Sequence, residues 1–292
     1  MGKLVATGVQ LGDGSQIIAR KEVILAAGAH RSPQILMLSG IGAESELSKV
    51  SIPLQANLPH VGHNSIDHFA LFQFWKLRNP SHGFTMGKPP WSSPAYFKGL
   101  PCDWAIKEAV PTHILSTALR IDIVSDADND ANAAALIHPS RCHLETMILY
   151  VPAGAEHVGL QLPNDGMHVA SSLMLLLPTS RGRVSLASAS ATDPPVIDPN
   201  HYATATDRAA LIYGTQRLAH ALLNTAAGKA IIEREVAPPG LSPLDSSSTG
   251  EEIDARVRSV GVAHAHTMGT AAMGKVVGVD LSKAFNGVNS VI

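Results

Sequence analysis

Residues 262–274 hold the side chains best suited to chemistry: His264 and His266, then Gly269, Thr270, Met273 and Gly274. An imidazole neutral near pH 7 is well placed to take a proton from a weakly acidic group, so general-base chemistry is the first this run suggests. The alternate spacing also sets His264 and His266 on one side of a strand, as two ligands of a metal would be, but no third ligand follows at a recognisable spacing. No metal site is expected. The chain has fourteen histidines, so residue type alone does not single out His266. Residues 126–132, DADNDAN, have carboxylates and amides but lack the sixth-position glycine and distal glutamate of a calcium loop, and read as a solvated loop.

The elements that must position these groups begin with residues 23–42. Val23, Ile24 and Leu25 form an apolar run suited to a strand covered on both faces. Ala26, Ala27, Gly28 and Ala29 then remove side-chain bulk, so a backbone or a flat cofactor can come close. Ser32 is placed to cap a helix whose first residue is Pro33, and Gly40 and Gly42 stop it. Before this, residues 3–26 read as two strands joined at Gly12-Asp13-Gly14. A short helix is expected over 44–50, and an extended segment over 52–68 that turns at Gly62, Asn64 and Asp67. Apolar stretches at 70–77, 113–123, 145–151 and 167–177 alternate with loops, the pattern of an antiparallel sheet with long connections. A strand over 183–186 precedes a helix over about 206–224 capped by Thr206, and Thr249 with Glu252 forms a capping box for a helix reaching Val260.

The string from Gly28 to Gly42, GAHRSPQILMLSGIG, resembles the second signature of the glucose-methanol-choline (GMC) flavin oxidoreductases. Residues 58–68 (LPHVGHNSIDH), 180–186 (SRGRVSL), 193–202 (DPPVIDPNHY) and 266–274 (HTMGTAAMG) resemble further stretches of the same family in the same order. The resemblance implies an α/β to α+β fold: a partial, Rossmann-like FAD-binding domain in 1–68, an antiparallel-sheet substrate-binding domain in 69–180, and a C-terminal region in 181–292 that returns to the FAD-binding domain at about 260–292. It implies His266 as the catalytic base, three residues before Gly269-Thr270 and seven before Met273, and Gly28, Ala29, Gly269 and Thr270 as FAD-binding residues. The small residues 269–272 would leave room for the isoalloxazine ring. Directly after the base, where the family usually has proline or another residue, this chain has Thr267.

The chain departs from the family at both ends. The Gly-x-Gly-x-x-Gly fingerprint that holds the FAD pyrophosphate is absent, and the sequence stops at Ile292, after an approach to the last flavin-contacting strand at 279–288. It therefore reads as the middle and C-terminal part of a member, expected to retain FAD weakly or not at all in isolation. With a net charge of -2 and no dense Lys/Arg cluster, nucleic acid is not an expected partner. A small-molecule alcohol is. No apolar run approaches the roughly 20 residues of a membrane span. Cys102 and Cys142 are too few for a disulfide framework and read as buried thiols. Three classes stay open: an FAD-dependent alcohol oxidase or dehydrogenase, a non-redox lyase or cyclase on the same scaffold, and a catalytically silent truncated chain.

Overall fold

The computed structural model describes residues 5–87, 91, 93, 98–123, 134–138 and 140–276. Its elements run β1 (Gly8–Gln10), β2 (Gln16–Ile18), α1 (Gly28–Leu38), β3 (Ile41–Gly42), α2 (Glu44–Lys49), β4 (Ala56–Asn57), β5 (His63–Ser65) and β6 (Phe69–Leu77). After β7 (Ala105–Glu108) and α3 (Thr112–Ile123) come β8 (Leu144–Leu149), β9 (His168–Leu175), β10 (Gly182–Ser185) and β11 (Val196–Asp198). The last are α4 (Ala205–Leu223), α5 (Ala226–Ile231), β12 (Ile232–Val236), α6 (Gly250–Val260) and β13 (Val262–Ala263). The mixed helix and antiparallel-sheet fold matches the class expected. Two compact units are present, one built from residues 1–67, 180–201 and 265–292, the other from 68–179 and 202–264.

The first unit joins an antiparallel hairpin (β1 with β2), a parallel pair (β3 with β4) and a three-stranded antiparallel sheet ordered β11-β10-β5. Met37 on α1, Ile41, Leu47 on α2, Val61 and Val276 form its core. The hairpin turns where Gly12-Asp13-Gly14 predicts, with Gly14 at φ +84°. Residues 22–27 differ from expectation, since they form no strand and Ile24 is 61% exposed. An extended apolar run becomes a strand only when neighbours accept its backbone hydrogen bonds, and among the described residues none lies alongside.

In the second unit an antiparallel sheet runs β12-β6-β9-β8-β7, with β13 on the same edge of β6 as β12. The alternation of β6 divides its side chains. Leu71 and Trp75 pack with Leu173, Leu211, Val169 and Leu218 toward α4, while Phe72 and Phe74 point to the other face. Buried Arg256 of α6 pairs with buried Glu235 of β12 at 2.9 Å, and Gln73 of β6 donates to the same carboxylate at 3.0 Å. The capping box at Thr249 and Glu252 starts α6 as its spacing predicts.

Three helical expectations need correction. Residues 113–123 belong to a helix, not a strand, because Leu115, Ala118 and Leu119, the buried residues of α3, recur at helical spacing. The cap of α4 is Thr204, whose hydroxyl accepts the Asp207 N–H, while the Thr206 hydroxyl donates to Asp122 at 2.6 Å. Helix α1 begins at Gly28, four residues before Ser32, and Pro33 lies inside it. Cys142 is exposed and Cys102 only partly buried. Residues 126–132 and 279–288 lie outside the described residues.

Candidate active site

The signature segments converge in the first unit. Helix α1 offers an open N-terminus: Ala27 has no capping side chain, and the first turn has no acidic residue to occupy its N–H groups. Gly28, its first residue, has φ +76°, and among the described residues nothing beyond its own stretch of chain lies within 4 Å of the place a Cβ would fill. A positive φ beside empty space is what close approach of a cofactor to the backbone requires.

Pro33 shapes the same turn. It has no N–H for the carbonyl four residues back, which is that of Ala29. That carbonyl instead accepts the hydroxyl proton of Thr270 at 2.6 Å, across 241 positions of sequence. Thr270 is 1% exposed. The helix thus gives up an internal bond, and the carbonyl it frees anchors the segment that carries His266.

A second rail holds that segment. Ile66 and Met268 exchange backbone bonds of 2.9 and 2.8 Å, and the Gly62 N–H donates to the Thr270 carbonyl at 3.0 Å. Asn64 is in the left-handed region at φ +62°. Its amide donates to the Gly269 carbonyl at 3.3 Å, while its oxygen accepts from Arg181 Nε at 3.0 Å. Gly269 adopts φ +92°, and a Cβ there would lie 2.3 Å from the Asn64 carbonyl oxygen. The strand β10 joins the same cluster, with the Val184 N–H on the Gly62 carbonyl at 2.7 Å, and Gln34 of α1 donates to the Asp193 carbonyl at 2.8 Å.

His266 is exposed, and its backbone N–H donates to Asp67 Oδ1 at 2.9 Å. Nothing in the sequence marks Asp67 as more than a turn residue; the only available signal is its place at the end of the 58–68 stretch. His264 belongs to the second unit, its ring stacked on Phe72 at 5.9 Å and its Nε2 3.4 Å from Ser172 Oγ. Between the two histidines, Ala265 takes a left-handed φ of +56°, so they do not continue one strand face as the alternate spacing suggests. Among the described residues no three His, Cys, Asp or Glu side chains gather as a metal site would need.

The second unit also holds a cavity of about 290 Å³, lined by Leu77, Phe84, Ile148, Tyr150, Val169, Leu222, Gly228, Ile231 and Ile232. Burial, with a hydrogen bond to the Asp103 carboxylate, pushes the Tyr150 phenol up to about 12. No lining group exchanges protons near neutrality, which leaves His266 as the better candidate for that chemistry.

Comparison with known proteins agrees with these segments. Residues 2–70 and 178–282 match the N- and C-terminal family models of the GMC oxidoreductases. A GMC-type oxidoreductase of Aspergillus aculeatus is 41% identical over 94% of this chain and 51% of its own length. Versicolorin B synthase of Aspergillus parasiticus is 31% identical over 92% of this chain and 41% of its own. The chain thus spans about half the length of the relatives it matches. Among solved structures, an arginine-to-alanine variant of Aspergillus oryzae formate oxidase shares the fold with a TM-score of 0.69 at 24% identity, covering 92% of this chain and 49% of that one. No described helix is long and apolar enough to cross a membrane. The chain belongs to the GMC oxidoreductases, a family of FAD-dependent enzymes.

Proposed function

We propose that this chain is part of an FAD-dependent oxidoreductase that oxidises the CH–OH group of a small alcohol, with His266 as the base. The observation that supports this reading most directly is the bond from Thr270 to the Ala29 carbonyl, because it ties the His266 segment to the open turn at Gly28. Gly28, Ala29, Gly269 and Thr270 are the residues that would hold FAD. When bound, FAD supplies the two-electron acceptor for the hydride of the carbinol carbon.

The residues of the chain handle the proton. An alcohol gives up hydride far more readily as its alkoxide forms, so the hydroxyl proton passes to a ring nitrogen of His266. An imidazole is a side chain suited to taking such a proton. His266 is an exposed residue, as one that meets a substrate hydroxyl has to be. The antiparallel unit is assigned the substrate-binding role.

The test is stopped-flow reduction by an alcohol of the flavin-loaded full-length parent to which this chain belongs. His266→Ala should slow reduction roughly 10² to 10⁴-fold with flavin content unchanged; reduction at the parental rate removes His266 from the mechanism. A second reading, non-redox chemistry on the same scaffold, draws support from the relatives named as synthases. Bound flavin that never bleaches while substrate is consumed would select that reading.

A further inference from the structure

We propose that Asp67 is the positioning residue for the His266 loop, one carboxylate holding two consecutive residues of it; the proposal rests on His266 being the base. Asp67 is 8% exposed. Its Oδ1 accepts the His266 N–H at 2.9 Å and its Oδ2 accepts the Thr267 hydroxyl proton at 2.8 Å. Hydrogen bonds to a carboxylate are stronger than those between neutral groups.

The need for such a clamp follows from the geometry. A general base has to stay within about 3 Å of the proton it takes. The two Asp67 bonds fix the backbone at His266 itself and at the residue after it, which sets where the side chain starts. The backbone rail from residues 62–66 reaches Thr270 and Met268 through the bonds of Gly62 and Ile66. At Thr267 and His266 the Asp67 carboxylate takes over, just before the left-handed turn at Ala265. The Thr267 hydroxyl bond to Asp67 restrains the backbone directly after His266.

The experiment uses the flavin-loaded full-length protein in four versions beside the unsubstituted one: Asp67→Ala, Thr267→Val, Thr267→Ser and His266→Ala. Stopped-flow reduction is read together with flavin content, half-saturating alcohol concentration and amide exchange across 264–270. Asp67→Ala should slow reduction about 10 to 100-fold, as a displaced base does. Flavin content and half-saturation should stay near the parental values while exchange at 264–270 rises. Thr267→Val should give a smaller fall, and Thr267→Ser, which keeps the hydroxyl, should restore the parental rate.

Parental reduction or unchanged exchange in Asp67→Ala overturns the proposal alone, provided His266→Ala is still slow. Parental reduction in His266→Ala overturns the reading beneath it. Should Asp67→Ala fail to fold, Asp67→Asn keeps the shape while removing the charge and one acceptor, and with Thr267→Val it carries the same test by the same readouts.

Discussion

Two glycines of the site are glycine for different physical reasons. At Gly269 both backbone and space forbid a side chain, with φ at +92° and the Asn64 carbonyl 2.3 Å from a Cβ. At Gly28 only the backbone objects, because φ is +76° and the space beyond is empty. Gly269→Ala should therefore destabilise the first unit by about 1 to 3 kcal/mol, read as a lowered melting temperature. Gly28→Ala should cost only about 1 kcal/mol and shift melting little, yet lower flavin retention in the full-length protein, because its methyl fills the approach to the turn. Equal melting temperatures for the two variants would contradict this distinction. Small residues at both places were legible in the sequence, since glycine and alanine announce close approach. Asp67 was not, because the N–H it holds lies 199 positions away and no local spacing connects them.

At the level of elements, the strongest coupling runs between α1 and the His266 segment. Thr270→Val removes the donor to the Ala29 carbonyl and should cost about 1 to 3 kcal/mol for leaving a buried acceptor unpaired. Pro33→Ala in the same protein supplies a new N–H four residues beyond Ala29, where a regular helix would have one. The double variant should recover part of the lost stability, so that the two changes are not additive in denaturant melts. Additive losses would show that the freed carbonyl is not the link.

The same helix shows where local signals fail. Ser32 followed by Pro33 has the chemistry of a helix start, yet the helix extends back to Gly28 because the carbonyl that the proline leaves idle is satisfied by a distant hydroxyl. The cap of α4 moved from Thr206 to Thr204 for a like reason: Asp122, on another helix, claims the Thr206 hydroxyl. Where capping is settled locally, as at Thr249 and Glu252, the spacing was sufficient. The strand expected at residues 23–25 needed neighbours that no local pattern supplies.

Across the whole molecule, one titrating group of the second unit links stability to acidity. Burial holds His168 below its ordinary value of 6.5, with Asp165 at 3.9 Å from its Nδ1 partly opposing the shift, and among the described residues that buried Nδ1 has no hydrogen-bond partner. A lowered folded-state value means that the unfolded chain binds the proton first. The contribution of His168 is therefore fully present above about pH 6.5 and fades as pH falls toward the depressed value. Melting temperature should decline between about pH 7.5 and 5.5, and His168→Gln should flatten that decline. An unchanged slope in the variant would assign the effect to other groups.

The chain crosses between its two units next to the signature segments, at 67/68, 179/180, 201/202 and 264/265. The bonds from Asp67, Asn64, Gly62 and Ala29 to residues 266–270 are made by residues outside the two intervening stretches. Those stretches are in effect cassettes. A chimera that took 68–179 and 202–264 from a relative would keep each of these bonds, so that one unit can be traded while the contacts within the other are inherited as they stand.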